Sequence, residues 1–203
     1  RSLHALREIN TLRVAVEDNS SRIQEVEEET RRDDLTGVYN RAYLDQFLSR
    51  EFDNSTRHKW PLSVAFADLD NFKEINDNFG HQAGDRILQA TARLLRGNTR
   101  ETDLVARYGG EEFVVVLPAT DAETARSICE RIVMAFRNTG HVIGSDHAKV
   151  TISIGCATHG SQTLFTDVTD FIKAADQALY TAKMRGRNCS VPFDRQLSGA
   201  RLA

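Results

Sequence analysis

Two glutamates that follow a pair of glycines, Glu111 and Glu112 in LVARYGGEEFVVVLP (residues 104–118), are the first candidates for chemistry. Runs rich in β-branched and aromatic residues flank Gly109-Gly110. They predict a hairpin whose tight turn uses the positive φ angles open to glycine. On that reading both acids begin the second strand and leave the turn toward opposite faces, with Glu111 sharing the parity of Phe113, Val115 and Leu117. A third carboxylate, Asp68, ends the apolar run PLSVAFAD (residues 61–68). In a split βαβ topology that run lies beside the hairpin, so Asp68 and Glu111 meet at one sheet edge. Unscreened, the two repel. A divalent cation between them reverses the balance, and carboxylate oxygens suit a hard ion such as magnesium. Zinc is disfavoured because no histidine or cysteine cluster accompanies the acids. Taken alone, Asp68 also reads as a helix cap or loop acid, and the glutamates as a solvated hairpin tip.

Other residues are of types suited to a nucleotide. Lys73, Lys183 and Arg187 are candidate phosphate ligands, and Asn76 and Asp85 offer donor and acceptor groups for a purine edge. Gly80 and Gly84 mark close backbone turns around them. Singly, each of these residues reads as a solvated surface group, and His81 as a structural hydrogen-bonding residue.

The elements that must position them follow from periodicity. Asp33-Asp34-Leu35-Thr36-Gly37 is turn-forming, and Asn40 then caps a helix through Tyr43, Leu44, Phe47, Leu48 and Phe52. After the strand at 61–68 comes DNFKEINDNFGHQAGD (residues 70–85), then an amphipathic helix over 86–95, then the hairpin. Helical spacing of Ala125, Ile128, Ile132, Val133 and Phe136 predicts a helix over 121–139. KVTISIGCAT (residues 149–158) alternates as a strand does, a last helix runs over about 166–184, and RGRNC leads to a short strand near 190–193. This order predicts an α+β fold, an antiparallel or mixed sheet with helices packed mainly on one face. Residues 3–30 carry Ile9, Leu12, Val16, Asn19, Ile23 and Val26 at spacings of three and four. That pattern is a heptad seam with one polar interruption, read as a two-stranded coiled coil or as one amphipathic helix lying on its own domain.

Composition narrows the function. With 203 residues, 40% hydrophobic and 27% charged, the chain has room for one domain of roughly 150 residues plus an appendage. A formal charge of −3 argues against a protein that coats nucleic acid, which needs a basic stripe. Cys129, Cys156 and Cys189 have no CxxC spacing, so neither a disulfide framework nor a zinc site is expected, and a reduced cytoplasmic compartment fits. No apolar run approaches the roughly 20 residues of a membrane span. Beginning at Arg1 without Met, the chain reads as a fragment.

Five stretches now fall into one order: DxLTGxxNR in 33–41, DLDNFKEINDNFGHQAGD in 68–85, RYGGEEF in 107–113, SIG in 153–155 and YTAKMRGRN in 180–188. Together they resemble the GGDEF family of diguanylate cyclases, over residues 33–193. GGEEF alone would be a weak signal; five motifs in order are specific. The resemblance implies a nucleotide-cyclase or polymerase-palm fold, with a ferredoxin-like mixed antiparallel sheet and surrounding helices. A helical dimerisation or signalling segment (1–32) precedes it and a tail (194–203) follows. The implied reaction joins two GTP into cyclic di-GMP with loss of two pyrophosphates, each subunit of a homodimer presenting one GTP to the other. Carried over, Asp68, the carbonyl of Leu69 and Glu111 hold two magnesium ions, with Glu112 assisting and manganese as a substitute. Glu111 is also the candidate base. Asn76 and Asp85 recognise guanine, with His81 supporting that pocket; Lys73, Lys183, Arg187 and the backbone of Phe72 hold the phosphates. Relatives that make mixed purine dinucleotides carry Ser where Asp85 stands. Glu111 replaces the eponymous Asp, a variant the family tolerates. Arg100-Glu101-Thr102-Asp103 has the RxxD spacing of the family's inhibitory product site, in which Arg100 and Asp103 bind cyclic di-GMP; outside that context it reads as a charge pair at a helix end. A sensor region is expected upstream, through which the full-length protein could be membrane-attached while the catalytic domain stays cytoplasmic. The rival readings are a silent GGDEF domain that senses GTP or cyclic di-GMP, and an interaction scaffold. A silent domain usually has an eroded signature or metal acid, and neither Glu111 nor Asp68 is eroded.

Overall fold

The computed structural model describes residues 30–139, 141–143, 146–148, 150–160 and 163–194. The seam from Ile9 to Val26 and the tail past Asp194 lie outside the described residues. From Asp33 onward the chain forms a unit of its own. In chain order its elements are α1 (Arg41–His58), β1 (Leu62–Leu69), α2 (Phe72–Phe79), α3 (His81–Gly97), β2 (Leu104–Gly109), β3 (Glu112–Pro118), α4 (Ala122–Asn138), β4 (His141–Ile143), β5 (Asp146–Ala148), β6 (Ile152–His159), α5 (Val168–Met184) and β7 (Ser190–Pro192).

Five strands form one sheet in the order β2-β3-β1-β6-β7, and β4 and β5 pair separately. β1 is antiparallel to both β3 and β6, β2 is antiparallel to β3, and β7 alone runs parallel to its neighbour. The mixed sheet is the expected one. The helices, however, cover both faces. Every residue of β1 is buried, so neither face can be left to water. One face packs Ala65, Ala67, Val115 and Ile154 against the apolar stripes of α3 and α4, such as Ile87, Leu95, Ile128 and Phe136. The other packs Val64, Phe66, Val114 and Val116 against Leu44, Leu48 and Phe52 of α1 and Phe171, Ala175 and Leu179 of α5.

Local signals place the helices. Asn40 accepts the Tyr43 N–H at 3.0 Å and starts α1; Asp121 and Asp167 do the same for α4 and α5. Residues 70–85 fold as more helix than their Gly and Asn content predicts. α2 occupies Phe72–Phe79 because Phe72 and Ile75 are buried, and α3 starts at His81, after Gly80 breaks the path at φ 81°. At Gly155 of β6 a Cβ would collide with the backbone of α5, lying 2.7 Å from the Ala178 carbonyl carbon, so the glycine lets that helix lie directly on the sheet. Among the described residues no helix is long and apolar enough to cross a membrane.

Candidate active site

The acids converge where β1 ends and the β2–β3 turn begins. Asp68 pairs in register with Glu112 on one side and with Ser153 on the other. Glu111 departs from expectation: it lies in the turn, and β3 starts at Glu112. The register shifts between Arg107 and Gly109, and neither Gly109 nor Gly110 has a positive φ. Because Glu111 is outside the strand, alternation does not send it to the far face. Its carbonyl instead accepts the Leu69 N–H at 3.4 Å, and both glutamates feel the charges of Asp68 and Lys183.

The turn is held from outside. Arg107 donates from Nε and Nη2 to the Gly110 carbonyl at 3.1 and 2.9 Å, while its Nη1 meets Asp33 at 3.2 Å. Burial opposes ionisation of Asp33, but hydrogen bonds from Thr36 and the charge of Arg107 outweigh it and hold its carboxyl below the ordinary value. A side chain built at Gly110 would meet nothing within 4 Å, so the space over the turn is open to a ligand.

Charge is under-neutralised here. Burial raises the Asp68 carboxyl even though Lys183 Nζ sits 2.8 Å from Oδ2 and opposes the shift. Burial, then the charge of Asp68, pushes Glu111 and Glu112 upward as well. Of the three carboxyls only Asp68 is ion-paired to Lys183, at 2.8 Å, with Arg187 adding a weaker pull on it; Glu111 and Glu112 feel Lys183 only through its field, and all their oxygens are hard donors, so the set fits magnesium. Among the described residues no three acidic, His or Cys side chains close into a cage of their own. Magnesium does not need one, since it keeps waters and substrate phosphates beside one or two carboxylates.

The nucleotide candidates fall into two groups. α2 begins four residues after Asp68, behind Asn71, which is left-handed at φ 55° and offers no side-chain cap. Among the described residues no side chain caps the first N–H groups of α2, Phe72 and Lys73, at the helix's positive end. Asn76 lies against Gly84 so closely that any Cβ there would strike its Oδ1, which brings α2 onto α3 beside Asp85. Asp85 and His81 are exposed on the first turns of α3, and Lys73 is exposed on α2. Lys183, at the end of α5, is bound to a metal-candidate acid rather than standing free, while Arg187 is exposed in the turn that follows. Away from this edge, Arg100 N–H donates to Asp103 Oδ2 at 2.8 Å, and buried Asp103 Oδ1 has no partner among the described residues.

Three side chains escaped the sequence reading. Arg107 and Asp33 sit inside quoted motifs, but nothing in their spacing couples them. Asp70 is buried and accepts from Thr151, Ser153 and the Asn188 backbone. It stands in the turn just past the end of β1, two residues from Asp68, and nothing in the sequence marks its distant partners.

The family model for the diguanylate cyclase GGDEF domain matches residues 30–189. Diguanylate cyclase DgcP of Pseudomonas aeruginosa is 37% identical over 187 residues, covering 92% of this chain and 27% of that protein. The chain spans less than half the length of such curated relatives. The coiled coil and GGDEF domain of DgcB from Caulobacter crescentus, solved in complex with c-di-GMP, matches with a TM-score of 0.82 at 26% identity, covering 95% of this chain and 100% of that one. The active GGEEF domain of a diguanylate cyclase from Vibrio cholerae matches with a TM-score of 0.71 at 34% identity, covering 77% of this chain and 97% of that one. With the family model spanning most of the sequence, and five motifs meeting at one sheet edge, this chain belongs to the GGDEF family.

Proposed function

We propose that this chain is an active diguanylate cyclase, condensing two GTP into cyclic di-GMP and two pyrophosphates. The carrying observation is the convergence of Asp68, Glu111 and Glu112 on one open edge, with more negative charge than Lys183 offsets. Asp68, the Leu69 carbonyl and Glu111 would hold magnesium, with Glu112 beside them; when bound, the ions lower the pKa of a 3′-hydroxyl and neutralise charge at the α-phosphate. Glu111 would take the hydroxyl proton. The N–H groups at Phe72 and Lys73, with Lys183 and Arg187, would hold the triphosphate. Asn76 and Asp85 would face the guanine edge, with His81 at the pocket wall.

One domain holds one GTP on this reading, so two must face each other, and residues 1–32 would bring them together as a parallel pair. The assay is direct: the purified chain with magnesium and GTP should yield cyclic di-GMP. A chain that binds GTP but releases no dinucleotide would be a sensor instead.

The RxxD turn supplies the control. Asp103 is raised chiefly by burial, against the opposing pull of Arg100, and its Oδ1 lacks a donor among the described residues. A guanine N1–H or N2–H would satisfy that atom, and Arg100 would reach O6 and N7 of the same base. Added cyclic di-GMP should therefore slow the enzyme. Arg100→Ala is expected to raise the half-inhibiting product concentration by about tenfold or more, one bidentate contact being worth about 1–3 kcal/mol. Turnover without product should be unchanged. Equal inhibition of both forms would leave Arg100 a surface charge.

A further inference from the structure

The turn after α5 has an uncommon backbone. Gly186, Arg187 and Asn188 follow one another at φ 103°, 65° and 51°. Two of the three bear side chains, for which this region is disfavoured. The near end is closed locally, by Gly186 N–H on the Lys183 carbonyl (3.3 Å) and Arg187 N–H on Ala182 (3.1 Å). Its far end is held by distant residues. Asn188 N–H donates to Asp70 Oδ2 at 3.0 Å, and Arg137 Nη2 donates to the Asn188 carbonyl at 3.1 Å.

Asp70 is 4% exposed, and its remaining contacts are the hydroxyls of Thr151 on Oδ2 and Ser153 on Oδ1, both at 2.7 Å. All three partners are donors. The carboxylate is thus largely spent on protein groups and is not poised to ligate a metal, although it lies two residues from Asp68. Burying such a charge is costly, and the three bonds offset that cost only while the turn stays in place. Arg187 lies near enough to Asp68 for its charge to be felt there.

We propose that Asp70 is a positioning residue: through the Asn188 N–H it holds the Gly186-Arg187-Asn188 turn in its left-handed path and so presents Arg187 to the triphosphate at the Asp68 edge. This rests on the nucleotide reading given above. The test uses 3′-deoxy-GTP with magnesium, which lacks the attacking hydroxyl, so that affinity is read without turnover. Asp70→Ala is expected to weaken binding by about tenfold, as loss of such supporting contacts does. Arg187→Ala should match it, and the double variant should lose no more than either single one. Asp70→Asn should recover most of the affinity, because its carboxamide oxygen can take the Oδ2 place while Ser153 turns its hydroxyl to accept. Amide exchange at Asn188 should quicken in Asp70→Ala while β1 and β3 keep their protection. Additive losses, or an unchanged affinity with exchange faster throughout the sheet, overturn the inference. Should Asp70→Ala not fold, exposed Arg137→Ala releases the same turn from its other side and must weaken binding likewise; unchanged affinity there overturns it. Wild-type protein that does not bind 3′-deoxy-GTP refutes the nucleotide reading itself, and this inference with it.

Discussion

Glu111→Gln is expected to lower cyclic di-GMP formation by at least about 10³-fold, the upper end of what losing a single electrostatic stabiliser costs. The substitution removes one charge and almost no volume. It also strips the turn of its proton acceptor, so both proposed roles of Glu111 fail together. Stability should move the other way. Glu111 has a raised pKa, chiefly through burial and then through Asp68, so ionisation is disfavoured in the fold. A carboxyl raised above its unfolded value costs stability at neutral pH, and that cost fades as pH falls through the raised pKa. Metal-free Glu111→Gln should therefore unfold at the same temperature as the wild type or higher near pH 7, and the difference should shrink toward acid. Added magnesium should raise the wild-type midpoint more than that of the variant. Turnover that survives the substitution would remove Glu111 from the chemistry. Lost turnover with a collapsed fold would give it a structural role only.

Selection of the base is the second large effect. Asp85 can accept from guanine N1 and N2 together, and adenine has no matching pair of donors. Sites built around such bonds discriminate by about 10⁴ or more, but Asp85 is exposed, so water competes; a preference for GTP over ATP of about 10³ is expected. Asp85→Ser keeps a small polar group and removes the bidentate acceptor. Its preference should fall below about tenfold, with GTP affinity weakened and ATP affinity hardly changed. Competition between the two nucleotides, read as dinucleotide composition, measures this directly. A variant as selective as the wild type would move guanine recognition to Asn76 and the helix backbone.

What the sequence disclosed and what it withheld divide along a physical line. The periods of α1, α4, α5, β1 and β6 reflect single apolar stripes or runs, and these appear close to where they were expected. α2 was hidden because Asn, Asp and Gly in residues 70–85 carry turn propensity, which burial of Phe72 and Ile75 overrides. The doubling of helices over both faces was legible only in the largely apolar run of β1, where residues of both parities are apolar. At the site, residue types were visible but pairings were not. Glycines at 109 and 110 signalled a turn correctly, yet their conformation is not left-handed, and the bulge that shifts Glu111 out of the strand has no sequence mark. Lys183 read as a phosphate ligand, and its bond to Asp68 depends on α5 lying on Gly155, a long-range fact.

That dependence on distant residues also sets when the site can exist. Asp70 and Asn188 are 118 residues apart, and Asp68 pairs with Ser153, itself far along the chain. Contacts so separated close late and slowly in folding, because loop entropy must be met before they return anything. On a ribosome, α1, β1 and the β2–β3 hairpin emerge first and can pair, but the Asp68 edge then lacks β6, Lys183 and the Asn188 amide. Asp70 has no donors during that interval, and an unpaired carboxylate resists burial. The nascent domain thus keeps its acidic edge wet and unsealed until β6, α5 and the Gly186-Arg187-Asn188 turn have been made, so the proposed nucleotide site is incomplete until almost the whole domain has been synthesised.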